Sequence, residues 1–410
     1  MLSKNLRSYS ALLWIMLFTA SAARAQAPSQ DPLLTMMNKA AAHAKAHGDR
    51  YVPALSPAKE TVLGADPFVH VKELQDAGIL VVPWTIDDMD GIRAMLALHV
   101  DGIISDRPDM LAAALAEART KAAGNPAELA YLARVDMEGH RGGRGLRPEN
   151  TLPAFEVGLD NGIHSIETDT GVTTDHQSLI WHDQFLNPRS CRRVDGKPYT
   201  QDNRVYISDI SIADAQQQFV CDKLYFDSEQ TNDLSLSPVS VAFALQEHMI
   251  NPYAPTYVAQ LFRFVAFYER WYRSGPGKNA PHAAERARTA AAVHFNLETK
   301  IVPDVYSEAK IAEILMGKTE AEVRASGKLE IGSFTGNHTV GPDVFVDVLC
   351  GAVRDYHMES RSDIQSFDFR TLQLVEEKFP GIRTFYLTQS PVLLHTDFVP
   401  ADLRLPAQVN

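Results

Sequence analysis

Residues 80–108 read LVVPWTIDDMDGIRAMLALHVDGIISDRP, an apolar β-branched run, an amphipathic stretch, and a second apolar run closed by Asp106, Arg107 and Pro108. The pattern spells strand, helix, strand. The same alternation recurs from about residue 50 onward. Strand-like runs are RYVPAL (50–55), GILVVPW (78–84), DGIIS (101–105), RVDMEGH (134–140), IHSIETD (163–169), VHFNLE (293–298), SDIQSF (362–367) and IRTFYLT (382–388). Helical patterns such as DMLAAALAEARTKAA and TLPAFEVGLDNG lie between most of them, as parallel βα units require. Eight such units predict an α/β fold, a closed TIM (β/α)8 barrel occupying residues 30–410 as one domain.

Two stretches break the rhythm. From Gln184 to about Pro255 no βα unit is evident, so residues 184–255 are expected to form an inserted lid or subdomain after the second barrel strand, IHSIETD. The insertion runs into a long aromatic helix whose stripe Tyr257, Leu261, Phe264, Tyr268 reads as core packing. A second extension, from Lys300 to about Pro342, contains KLEIGSF, expected as a short extra strand.

The chain opens with Lys4 and Arg7, an apolar run from Ala11 to about Ala20, and small residues at Ala23 and Ala25, the layout of a secretory signal over residues 1–25. The apolar run falls short of the ~20 residues a membrane-spanning helix needs, so no stable membrane anchor is expected. The mature chain is expected to be periplasmic or secreted. Loss of Lys4, Arg7 and Arg24 takes the formal charge from -12 to -15. A chain this acidic, with no basic cluster, is expected to have no nucleic-acid partner. In an oxidising compartment, Cys191 and Cys221, both in polar loop-like sequence, are expected to pair, leaving Cys350 buried and free in VFVDVLCGAV.

The chemistry concentrates in GHRGGRGLRPENTLPAFEVGLDNGIHSIETDTGVTTDHQSLIWHD, residues 139–183. Glu167 and Asp169 stand two apart on a strand and so point together into the barrel. Two carboxylates on one inner face repel, which calls for a cation between them or for an acid/base pair. On VHFNLETK, Asn296, Glu298 and Lys300 share a face, and Glu298 is placed to offer a third oxygen. An all-oxygen site suits one hard divalent ion, Ca²⁺ or Mg²⁺, over zinc. Lys300 calls for an anionic partner such as a phosphate. His140, followed by Arg141, and His182, followed by Asp183, close adjacent strands. Imidazoles titrate near neutral pH, so two of them beside a hard-metal site suit an acid/base pair for phosphodiester cleavage.

These residues resemble the glycerophosphodiester phosphodiesterase family. Its opening signature is matched by His140, Arg141, Gly142, Pro148, Glu149, Asn150, Thr151, Ala154 and Phe155. Its Glu-x-Asp, Thr-x-Asp and His-Asp elements are matched by Glu167, Asp169, Thr173, Asp175, His182 and Asp183. The Glu-x-Lys strand is matched by Glu298 and Lys300, and the Ser-Phe strand by Ser366 and Phe367. The resemblance implies a TIM barrel that hydrolyses glycerophosphodiesters to glycerol 3-phosphate and an alcohol. It implies Glu167, Asp169 and Glu298 as ligands of the divalent cation, and His140 and His182 as the acid/base pair. Arg141 and Lys300 become phosphate contacts, with Phe367 and the rim residue Trp84 beside the substrate. Thr170 departs from the aliphatic residue usual after the metal-binding Asp.

The order of the motifs departs more. The family's Trp-Thr-Val-Asn strand and its last strand, Asp-Gly-Ile-Ile-Thr-Asp-x-Pro, follow the Ser-Phe strand. Their matches here come first, at Trp84, Thr85 and Ile86, with Asp87 in place of Asn, and at Asp101 to Pro108, with Ser105 in place of Thr. A circular permutation follows, in which about Ala122 to Ala133 bridges the old ends and IRTFYLT pairs in parallel with RYVPAL across the new ones. The rival arrangement, a partial duplicate ahead of a truncated barrel, would leave strand edges open. Three rival functions fit these residues less well. A phospholipase D-like enzyme acting on lysolipids or sphingolipids fits an apolar lid better than this polar insertion. Glycoside hydrolysis leaves both histidines, Arg141 and Lys300 without work. A non-catalytic envelope phosphate-ligand binding protein has no need of both histidines. The oligomeric state is not legible.

Overall fold

The computed structural model describes residues 31–301, 303, 310 and 337–406. Its strands are β1 (Ala54–Pro57), β2 (Gly102–Ser105), β3 (Asp136–Gly139), β4 (Ser165–Val172), β5 (Ser178–Ile180), β6 (Arg192–Arg193), β7 (Phe219–Val220), β8 (His294–Thr299), β9 (Ser362–Ser366) and β10 (Arg383–Thr388). The barrel runs in the order β1-β10-β9-β8-β4-β3-β2, every neighbour parallel. The gap between β2 and β1 is filled by the extended segment 80–84. Val82 N–H donates to Leu55 O at 2.9 Å and Trp84 N–H to Pro57 O at 3.0 Å, while Asp101 N–H donates to Val81 O at 2.9 Å and Ile104 N–H to Pro83 O at 3.0 Å. The ring is thereby closed as a TIM barrel. The expected strand 78–84 is reduced to bridges at Val81 and Trp84, because Pro83 has no N–H to offer a ladder. The expected strand 50–55 likewise starts only after Pro53, at Ala54.

β10 and β1, from opposite ends of the chain, lie side by side in register, Ala54 against Phe385 and Pro57 against Thr388. Residues 122–133, which link β2's helix to β3, contain the helix Pro126–Leu132, whose first turn is capped by Asn125 accepting from Glu128 N–H at 3.2 Å. Outward-facing Ile103, Met137, Ile166, Leu297, Ile364 and Tyr386 are buried beneath the surrounding helices. The inner face is polar at its centre: Asn296 Nδ2 donates to Glu138 at 2.8 Å and Gln365 Nε2 to Glu167 at 2.6 Å.

Before the barrel, where sequence reading assigned no element, a helix over Pro32–Ala46 buries Leu33, Met36, Met37, Ala40 and Ala44. His43 Nδ1 lies 2.7 Å from Glu376 and ties it down. The aromatic helix, Val258–Arg273, belongs to the barrel's outer layer, with Leu261, Phe264 and Tyr268 fully buried. Tyr257 stands at its start, half-buried, its hydroxyl accepting from Arg263 at 2.9 Å.

Residues 184–255 carry more order than a polar loop. β6 and β7 pair antiparallel, and Cys191 and Cys221, at the edge of this pair, are disulfide-bonded. Leu186, Tyr199, Ile207, Ala215 and Phe219 close a small apolar core around the bond. Strands of two residues are too short for a periodicity to register. Cys350 is buried and free. The bond closes a loop of sequence separation 30, which constrains the unfolded chain by about 3–4 kcal/mol. A Cys191→Ala/Cys221→Ala variant is expected to lose that much in urea unfolding followed at the insertion; an unchanged midpoint would contradict it. KLEIGSF and residues 1–25 lie outside the described residues.

Candidate active site

Alternation along β4 turns Glu167 and Asp169 inward, and the parallel register sets Asp169 beside Glu298 and Glu167 beside Asn296. The three carboxylates are buried, with oxygens within 4.8 Å of one another. Each is held. Glu167 accepts from Arg141 N–H at 2.9 Å and from Gln365 Nε2 at 2.6 Å. Asp169 Oδ2 accepts from Asn150 Nδ2 at 2.9 Å and lies 3.2 Å from Arg141 Nε. Glu298 lies 2.9 Å from Lys300 Nζ, which is 3.7 Å from Asp169 Oδ1.

Burial pushes Glu298 up to about 8 despite Lys300, and Glu167 up to about 7 despite His140. Burial opposes ionisation of Asp169 too, but Arg141, His182 and Lys300 outweigh it and hold that carboxyl far below its usual range. Among the described residues, Asp169 Oδ1 is buried without a hydrogen bond. An unsatisfied oxygen among three carboxylates, two of which resist ionisation, fits a hard divalent cation with oxygen ligands.

The turn that delivers His140 and Arg141 is tight. Arg141 has φ 51° and Asn150 φ 56°, left-handed conformations that cost of order 1–3 kcal/mol each in non-glycine residues. Gly142, at φ 88°, is pressed so closely on the helix Leu152–Asp160 that a Cβ would meet the Ala154 carbonyl at 2.6 Å. Arg141 reaches Glu149 at 2.9 Å as well as Asp169, and Arg144 shares Glu149 at 2.7 Å.

Both histidines are anchored through Nδ1. His140 Nδ1 is 2.5 Å from Asp106 and its Nε2 is 3.9 Å from Glu167. His182 Nδ1 is 2.9 Å from Asp183, which also accepts from Asn187 Nδ2 at 2.7 Å. Burial disfavours a charged His140, yet Asp106 and Glu167 raise its pKa; burial, Arg141 and Lys300 lower that of His182.

Beside this centre lies a cavity of about 160 Å³ lined by His182, Glu298, Lys300, Phe367, Leu393 and Phe398. Trp84 meets the cavity through Phe367, its ring edge-on at 5.6 Å and its Nε1 donating to Ser56 O at 3.0 Å. A larger cavity, about 770 Å³, opens at the opposite end of the barrel among Asp136, His164, His294, Asp363 and Arg383. The carboxylate trio and both histidines stand at the strands' C-terminal ends, the end at which barrels of this kind carry their chemistry, so size does not decide between the two.

All the site residues expected from sequence meet at one end of the barrel. Several others join them without having been assigned a role. Gln365 was readable, pointing inward on β9 two residues before Phe367. Glu149, Asn150 and Asp106 lay inside quoted motifs with no partner named. Tyr225, which acts electrostatically on Glu149 from the insertion, left no signal, because nothing local places residue 225 near 149. Thr170 donates to Glu298 O at 2.8 Å, bonding β4 to β8 behind the carboxylates.

Known proteins were compared with this chain. It matches the glycerophosphoryl diester phosphodiesterase family model over residues 5–110 and 140–250, more than half its length. A glycerophosphodiester phosphodiesterase of Bacillus altitudinis is 41% identical over 61 residues, covering 15% of this chain and 25% of that protein. Among solved structures, a Silicibacter pomeroyi chain described as a glycerophosphoryl diester phosphodiesterase superposes with TM-score 0.41 at 20% identity, covering 63% of this chain and 65% of its own. An Oleispira antarctica phosphodiesterase in complex with the product sn-glycerol-3-phosphate does so with TM-score 0.33 at 15% identity, covering 61% and 65%. The chain thus spans a quarter of that curated relative and just under two thirds of these structures. With the family model covering both the opening stretch and the segment that supplies His140, Glu167, Asp169 and His182, the chain belongs to the glycerophosphoryl diester phosphodiesterase family.

Proposed function

We propose that the protein hydrolyses glycerophosphodiesters to glycerol 3-phosphate and an alcohol. The observation that carries this is the buried trio Glu167, Asp169 and Glu298, with a carboxylate-anchored histidine on two sides and the cations Arg141 and Lys300 between. One divalent cation, Ca²⁺ or Mg²⁺, would be held by the three carboxylates and, when bound, neutralises charge on the phosphoryl oxygens. Lys300 and Arg141 orient the phosphate. The two histidines, held through Nδ1, keep Nε2 for proton transfer, one activating water and the other protonating the departing alkoxide.

We also propose that the chain is a circular permutation of its family's barrel. The parallel pairing of β10 with β1 supports this, since a truncated barrel would leave those edges open. The Cys191–Cys221 bond supports an oxidising, extracytoplasmic setting. A panel of glycerophosphocholine, glycerophosphoethanolamine, a lysophospholipid and bis-p-nitrophenyl phosphate, assayed with either ion, tests the substrate reading. Glycerophosphodiester turnover at least tenfold above the lysophospholipid is expected, and the reverse preference would overturn it.

A further inference from the structure

The opening stretch holds residues whose contacts the hydrolase reading leaves without a purpose. Asp106, at the C-terminal end of β2, is 3% exposed and places Oδ1 2.5 Å from His140 Nδ1 on the neighbouring strand. Its backbone is clamped: its N–H donates to Asp87 Oδ1 at 2.8 Å, and its carbonyl accepts from Gly145 N–H at 2.9 Å. Ser105 Oγ also donates to Asp87 Oδ1, at 3.2 Å, and accepts from Arg107 N–H at 3.0 Å. Ser105 O receives His140 N–H at 2.9 Å, so one short segment fixes both backbone and ring of the histidine. Asp87 and Ser105 are the positions where this chain departs from the family's Asn and Thr.

We propose that Asp106 is a positioning residue for His140, and that Asp87 in turn positions Asp106. This rests on the hydrolase reading for its consequence in catalysis, though not for its geometry. An imidazole with one nitrogen bonded to a carboxylate is held in the tautomer that carries the proton on that nitrogen. Asp106 therefore keeps the proton on Nδ1 and leaves Nε2, 3.9 Å from Glu167, turned to the site. Without that bond the ring is free to rotate about χ1 and χ2 and to place its proton on the wrong nitrogen. In a dyad of this kind the carboxylate touches no substrate, and its loss shows in turnover more than in binding. Burial opposes ionisation of Asp106, but His140, followed by Arg144 and Arg141, outweighs it and holds that carboxyl below its usual range.

The test compares Asp106→Asn, Asp106→Ala, Asp106→Glu and Asp87→Ala with the parent in kcat and KM for glycerophosphocholine. Alongside it, ¹⁵N NMR of histidine-labelled protein, assigned with His140→Gln, reads the His140 tautomer. Expected are a fall of about 100-fold or more in kcat for Asp106→Asn with KM within about twofold, and partial recovery in Asp106→Glu relative to Asp106→Ala. Asp87→Ala is expected to lower kcat by about tenfold, and it serves if the Asp106 variants do not fold. The parent should show His140 protonated at Nδ1, and Asp106→Asn a mixture of tautomers. A kcat within about threefold of the parent in Asp106→Asn, a loss carried mainly by KM, or a parent His140 with bare Nδ1 would each overturn the proposal. The tautomer is readable even if the parent cleaves no glycerophosphodiester, so failure of the hydrolase reading and failure of the dyad are separate results.

Discussion

His182→Ala is expected to lower glycerophosphocholine turnover by about 10²- to 10⁴-fold, the range that a positioned acid or base contributes, with little change in stability. His182 is a third exposed and lines the cavity, so its removal opens no void in the core. What it would remove is the proposed proton-transfer group, an imidazole that burial, Arg141 and Lys300 bias toward the neutral form. His140→Ala should lose as much activity, with a larger fall in stability because that ring is more deeply buried and bonded to Asp106. Steady-state kinetics and thermal melting of both variants check this, and near-normal rates in either would remove that histidine from the chemistry.

The second large effect concerns the cation. Three carboxylates with oxygens within 4.8 Å, of which Glu298 and Glu167 are pushed up to about 8 and 7, form a site that the apo chain holds at a cost. An ion bound there would relieve that repulsion and is expected to bind only the folded state. At a hundredfold excess over Kd it adds about 2.7 kcal/mol to stability. Chelation is expected to abolish turnover and lower the melting temperature, and Ca²⁺ or Mg²⁺ to restore both. In Glu298→Ala the ion-dependent shift should vanish. Parent protein with undiminished turnover and an unchanged melting temperature in excess chelator would contradict the site.

Much of this was legible because periodicity survives locally. A strand two residues out of phase would have turned Glu167 and Asp169 the same way, but one residue out of phase would have sent them outward; the approach of their oxygens to Glu298 fixes the phase. The expected carboxylates, histidines and cations are found together because the parallel register aligns residues of the same strand depth. Pairing of IRTFYLT with RYVPAL was likewise foreseeable from the displaced motifs, since closing a barrel leaves those strands no other neighbour. What escaped was set by contacts distant in sequence. The antiparallel pair β6–β7 is stabilised by a disulfide and a satellite core rather than by pattern. Tyr225 and Glu149 meet only through the insertion's path. Pro83 lies in a run whose composition says strand, but its missing N–H thins that stave to two bridges.

The most direct test is ³¹P NMR of glycerophosphocholine incubated with the protein and a divalent cation in ¹⁸O-enriched water. The expected result is loss of the diester signal with appearance of sn-glycerol 3-phosphate, its resonance shifted by one ¹⁸O on phosphorus, and release of choline. Water as the nucleophile at phosphorus, with His140 and His182 moving the protons, requires that label. Persistence of the diester, or a cyclic phosphate formed by attack of the substrate's own hydroxyl without incorporation of ¹⁸O, would contradict it.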